Sequence, residues 1–240
     1  AWLCVGLVGA FNHGDTAGTE DLDSGERGAI GRMVMGGLAF LLVLTAVRVA
    51  GGALVANVWA ADGRRFDQAG QWQESIEKYD RAIALVPWQG TYYQFRGEAF
   101  YNLARALPPE QAALQGELLT AAARSLAWAR AFEPLEMEHY TNSGVLYAYW
   151  SELEPDRLET AVQFYEQAFR LAPTRVELRR DLGHVYHNNG RYAEALAQYD
   201  IGIGIDPADE ALYRDAALAA EALGDEALAD LYRDKAEERE

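Results

Sequence analysis

The stretch VELRRDLGHVYHNNGRYAEALAQYDIGIGIDPAD, residues 176–209, decides the reading of this chain. It closes on an apolar run ended by Pro207, and the same close recurs as KYDRAIALVP at Pro87, LAWARAFEP at Pro134 and FYEQAFRLAP at Pro173. Successive prolines lie 47, 39 and 34 residues apart. Self-similarity on this scale marks stacked supersecondary units, each unable to bury its apolar face alone. Proline suits such a boundary because it removes a backbone donor and cannot continue the helix before it.

Within 176–209, Leu182-Gly183, Tyr186, Gly190, Tyr192, Ala195, Tyr199, Gly202 and Pro207 fall where the tetratricopeptide-repeat pattern has its Leu-Gly, aromatic, Gly, aromatic, Ala, aromatic, small and Pro residues. The segment resembles that family. The unit 56–89 supplies Trp59, Gly63, Phe66, Gly70, Trp72, Tyr79, Ala82 and Pro87, with Ser75 in place of the usual Ala. The unit 137–175 supplies Tyr140, Gly144, Tyr147, Ala161, Tyr165, Ala168 and Pro173, with about five extra residues expected in its turn. The unit 90–136 is irregular, keeping Tyr93, Gly97 and Phe100 and carrying an insertion around LPPEQAALQG. A partial unit, 210–240, carries Tyr213, Gly224 and Ala229 and ends in the charged RDKAEERE, the solvating cap that stacked repeats need. The resemblance implies an all-α superhelix of paired helices over 56–240. Small residues would sit where paired helices approach, and aromatics between units.

Ahead of the repeats, residues 33–61 read MVMGGLAFLLVLTAVRVAGGALVANVWAA, with Arg48 the only charge. At about 1.5 Å per residue this covers a hydrocarbon core of roughly 30 Å, and residues 32–58 are expected to form a transmembrane helix. Arg48 lies past the midpoint, where its stem lets it snorkel to the interface. The alternative is an apolar helix buried in a protein core. Residues 1–11 read as the end of another apolar, lipid-crossing segment, and 12–31 as a polar acidic loop. The missing initiator Met and the apolar opening suggest a piece of something longer. Arg27 and Arg32 precede the span and Arg64 and Arg65 follow it, so the positive-inside rule tips only slightly toward a cytoplasmic repeat domain. The expected location is a bacterial inner membrane. With no linker after Trp59, the membrane helix should run straight into the first repeat helix.

The layout of 1 to about 90 also resembles the C-terminal region of bacterial O-antigen ligase and polymerase-like membrane proteins, which implies transfer of lipid-linked glycans by residues lying upstream of Ala1. No catalytic residue carries over. The other reading is a membrane-tethered scaffold for a multi-subunit membrane complex.

Net charge is −16, a field that repels phosphate backbones and argues against nucleic-acid binding. Cys4 is the single cysteine, so internal disulfides and cysteine metal sites are excluded. There is no nucleophile triad, HExxH, P-loop or dinucleotide fingerprint, hence no active site in this chain, and no cofactor is expected. The GIGID string around Gly202 is read as packing. His184 and His187, three apart, have the spacing of two metal ligands but lack a third nearby, so no metal site is assigned.

The family resemblance places a protein or peptide partner against the first helices of the units. It gives Thr91, Gln94, Glu98 and Tyr101 from the second unit, Glu138, Thr141 and Val145 from the third, and Glu177, Arg180, His184, His187 and Asn188 from the fourth. The family's carboxylate clamp would need Lys and Asn where this chain has Ala60 and Arg64, which argues against a receptor for acidic chain ends.

Overall fold

The computed structural model describes residues 24–239. The segment 1–11 and most of the expected acidic loop lie outside that range. The described part holds ten α-helices: α1 Ser24–Gln68, α2 Trp72–Leu85, α3 Gly90–Arg105, α4 Ala112–Phe132, α5 Met137–Leu153, α6 Leu158–Leu171, α7 Val176–Asn188, α8 Tyr192–Ile205, α9 Glu210–Ala222 and α10 Glu226–Glu237. Single 3-10 turns at Pro109–Gln111 and Pro155–Arg157 precede α4 and α6. The chain divides into one compact unit up to Gly51 and another from Gly52, and each is described by itself.

In the first unit, residues 24–31, expected as the end of a loop, are the opening turns of α1. Helical structure runs from Ser24 to Gln68, so the apolar segment and the first repeat helix belong to one element. Met33, Leu38, Phe40, Leu42 and their neighbours from 33 to 43 are all exposed, Met33 by 80% and Leu42 by 69%. Among the described residues no helix is long and apolar enough to cross a membrane. The side chains of Leu44, Val47, Arg48 and Val49 fall outside that description.

The second unit is a row of helix pairs: the end of α1 with α2, then α3 with α4, α5 with α6, α7 with α8, and α9 with α10. Its core follows the row as three successive clusters. Ala56 and Ala60 of α1 join Tyr79, Ala82 and Tyr92. Ala104, Leu119, Leu126, Leu146 and Trp150 form the next, and Tyr165, Leu182, Tyr199, Leu212 and Tyr232 anchor the last. Each element therefore buries its apolar face against neighbours in the row only, as stacked repeats do.

The small-residue positions explain the pairing. A Cβ at Gly183 would stand 2.2 Å from the Tyr199 ring, at Gly63 2.6 Å from Tyr79, and at Gly144 2.8 Å from Tyr165. In the irregular unit the partner of Gly97 is Leu126, 2.9 Å from such a Cβ. Within these three pairs, then, a tyrosine of the second helix packs against a bare patch of the first. Turns inside the pairs use Gly70, Gly190 and Gly224 in the left-handed region, with φ of 70°, 72° and 81°. At Gly190 the next amide, Arg191 N–H, closes on the Tyr186 carbonyl at 2.9 Å, the bond that ends a helix through a left-handed residue.

The two long units depart from what their spacing suggests. The insertion in the second goes largely into helix, since AALQG opens α4 and lengthens it to 21 residues. In the third, the extra residues add a turn to α5, 17 residues against 13 in α7, and the 3-10 turn at Pro155. Runs of alanine and leucine favour lengthening a helix over opening a loop.

Candidate peptide-binding groove

At about 100° per residue, positions i, i+4, i+7 and i+11 share roughly 60° of a helix surface. Three such stripes face one another. They are Gln94, Glu98, Tyr101 and Arg105 on α3; Glu138, Asn142, Val145 and Tyr149 on α5; and Glu177, Asp181, His184 and Asn188 on α7. Between them runs a groove with three connected hollows. A cavity of about 370 Å³ is lined by Tyr101, Arg105, Tyr149, Tyr165, Asp181 and His184, among others. One of about 130 Å³ shares Tyr101 and Val145 and adds Glu98 and Asn142. The third, about 210 Å³, shares Asp181 and Asn142 and adds Glu138, Thr141 and Glu177.

The polar groups are partly pre-arranged. Gln94 donates to Glu98 at 2.8 Å and Asn142 donates to the same carboxylate oxygen at 2.5 Å, tying α3 to α5. Burial nevertheless holds the Glu98 carboxyl above its ordinary range, those two donors pulling it partly back. Asp181 is raised for the same reason, burial, with Arg180 and His184 opposing. Both of these side chains also lie against a second carboxylate, however. His184 Nε2 lies 2.8 Å from Asp215 of α9, and Arg180 Nε 3.7 Å from it. Tyr101 is pushed up by burial, offset by Arg105, whose guanidinium lies 5.4 Å from the Tyr101 ring centre and 5.8 Å from that of Tyr149. Tyr101 and Tyr149 themselves meet edge to face at 5.7 Å, and Gln115 donates to the Tyr149 hydroxyl at 2.8 Å.

Of the residues chosen from sequence, the structure brings Glu98, Tyr101, Glu138, Thr141, Val145, Glu177, His184 and Asn188 to the hollows. Gln94 reaches them through Glu98. Thr91 is placed elsewhere: its hydroxyl turns to Glu133 at 3.3 Å, because it sits in the first turn of α3, where Glu133 accepts from the free Gly90 amide at 2.9 Å. Arg180 and His187 fall about 70–90° off the midline of the α7 stripe. The first faces Asp215 and the ring of the second packs on Tyr192, 5.1 Å away. The two histidines are thus engaged by different partners. Sequence reasoning passed over Arg105, Asn142, Tyr149 and Asp181, each of which completes a stripe at i+4 or i+11. That spacing, applied evenly from Gln94, Glu138 and Glu177, would have found all four.

Comparison with known proteins agrees with this geometry. Residues 152–223 match the family model described as tetratricopeptide repeat. No curated protein matches the chain. Solved structures of similar fold include a crystal structure of MamA protein, with a TM-score of 0.59 and 20% identity, covering 77% of this chain and 91% of that one. Another is MamA from Desulfovibrio magneticus RS-1, with a TM-score of 0.59 and 14% identity, covering 77% and 94%. At these identities the likeness is one of fold. With the repeat pattern matched across α6 to α9 and the same pairing continued on either side, the described helices form an all-α array of tetratricopeptide-type helix pairs.

Proposed function

We propose that this protein captures an extended peptide or a protein segment in the groove of α3, α5 and α7 while the apolar part of α1 holds it to a lipid bilayer. One observation carries the first half: three stripes of polar and aromatic side chains line neighbouring hollows that share Tyr101, Val145, Asn142 and Asp181. Tyrosines and charged groups on rigid helices are the composition of recognition surfaces, where large side chains bind at little cost in ordering. Charge reversal by Glu98→Lys removes the acceptor shared by Gln94 and Asn142 and places a cation in the smallest hollow. Affinity capture with the full chain is expected to lose its partner by about tenfold or more, with the helical circular dichroism retained. Undiminished recovery would move the binding face elsewhere.

The second half rests on α1. A helix whose large apolar side chains are exposed all round, as they are from Met33 to Val43, needs lipid or a protein core around it. The full chain is expected to stay with membranes through alkaline carbonate extraction, and release into the wash would refute the anchor. The expected address is the inner membrane of a bacterium with the repeats on the cytoplasmic side, for which protease access in oriented vesicles is the measure. A second reading, the tail of a glycan ligase-like protein, has the order of segments over residues 1 to about 90 in its favour. The coding sequence ahead of Ala1 decides it.

A further inference from the structure

We propose that the tyrosine-walled cavity between α3, α5 and α7 takes the side chain of a lysine or arginine from the captured segment, with Asp181 as its anchor. The inference rests on the peptide-capture reading and adds what the groove selects. Asp181 lines both this cavity and the neighbouring one toward Glu177. Among the described residues no hydrogen bond or ion pair reaches its carboxylate. The two groups on its own helix that could neutralise it, Arg180 and His184, lie against Asp215 instead. A carboxylate partly withdrawn from water with no hydrogen-bond donor beside it is disfavoured, and a ligand ammonium or guanidinium supplies the missing charge-assisted hydrogen bonds.

The walls point the same way. Tyr101, Tyr149 and Tyr165 surround the cavity, and tyrosine faces attract cations. Arg105 already rests over two of these rings, so a guanidinium fits their spacing. It comes from α3, across α5 from Asp181, and leaves the α7 side acidic. The groove as a whole is electronegative: Glu98, Glu138, Glu152, Glu177 and Asp181 line its hollows against Arg105 and Arg175. Arg175 itself pairs with Glu138 at 3.9 Å. A cavity of about 370 Å³ has room for one long side chain.

The test presents a positional-scanning library of short peptides to the full chain and to its Glu98→Lys, Asp181→Asn and Asp181→Lys variants, each checked for helical circular dichroism. Expected are peptides whose capture depends on Glu98 and which carry Lys or Arg at one position. Asp181→Asn should weaken them about tenfold, and Asp181→Lys should turn the preference at that position toward Glu or Asp. Capture that depends on Glu98 but shows no basic preference, favours an acidic residue at Arg105, or is unmoved by Asp181→Asn overturns the proposal while leaving peptide capture standing. If no peptide is captured, or capture ignores Glu98, the groove reading falls and this inference with it.

Discussion

Glu133→Ala is expected to destabilise the array by about 2 kcal/mol, within the range for stranding part-buried hydrogen-bonding groups. The carboxylate accepts from the Gly90 amide at 2.9 Å, the Gln89 side-chain amide at 3.1 Å and the Thr91 hydroxyl at 3.3 Å, and it lies 2.9 Å from His139 Nε2. It joins the end of α4 to the starts of α3 and α5. His139 is fully buried and its Nδ1 has no partner, so truncation at 133 leaves its ring unpaired and strands the Gly90, Gln89 and Thr91 donors at the same time. Urea unfolding followed by circular dichroism measures the loss, and hydrogen exchange at the Gly90 amide locates it. Glu133→Gln keeps an acceptor and should recover part of the stability. Equal midpoints for the alanine variant and the parent would show the network to be inert.

Gly183→Ala should cost about 2 kcal/mol, even though alanine is worth roughly 1 kcal/mol more than glycine inside a helix. The new Cβ would lie 2.2 Å from Cε1 and 2.7 Å from Cδ1 of Tyr199, a ring only 1% exposed. Rigid ring atoms cannot swing aside as a flexible side chain would, so α7 and α8 must separate. Gly204 in α8 is the control, because nothing lies within 4 Å of a Cβ built there. Gly204→Ala should leave the unfolding midpoint unchanged or raise it slightly. Opposite signs for one substitution at two helical glycines would separate packing from propensity, and matching signs would refute the close-approach argument.

The same glycines show why so much of the fold could be read from the text. Gly63 and Gly183 stand 16 residues before their rings Tyr79 and Tyr199, and Gly144 stands 21 before Tyr165 because its unit is longer, so both halves of each contact are written in a single unit. Where one half changes, as with Leu126 facing Gly97, the spacing alone loses the register. It was also silent on where an insertion goes, because LPPEQAALQG reads as a turn near its prolines and as helix from Ala112 onward. The groove was half legible. Glu98, Tyr101, His184 and Asn188 line the hollows because their helix and face follow from the repeat, but the same template also drew in Arg180 and Thr91. Only coordinates reveal that Asp215 and Glu133 engage them. Asp181 escaped notice for the converse reason, since nothing in its flanking residues announces a carboxylate without a donor.

Asp215 gives α9 a second office. By lying against the His184 ring and the Arg180 guanidinium, it holds both toward α9 and away from the surface in front of α7. A version of the array shortened before Glu210 would lose that counterweight along with Leu212 and Tyr213. The groove wall on α7 would then change polarity as well as lose support, so trimming the solenoid would alter the very surface proposed to hold a peptide.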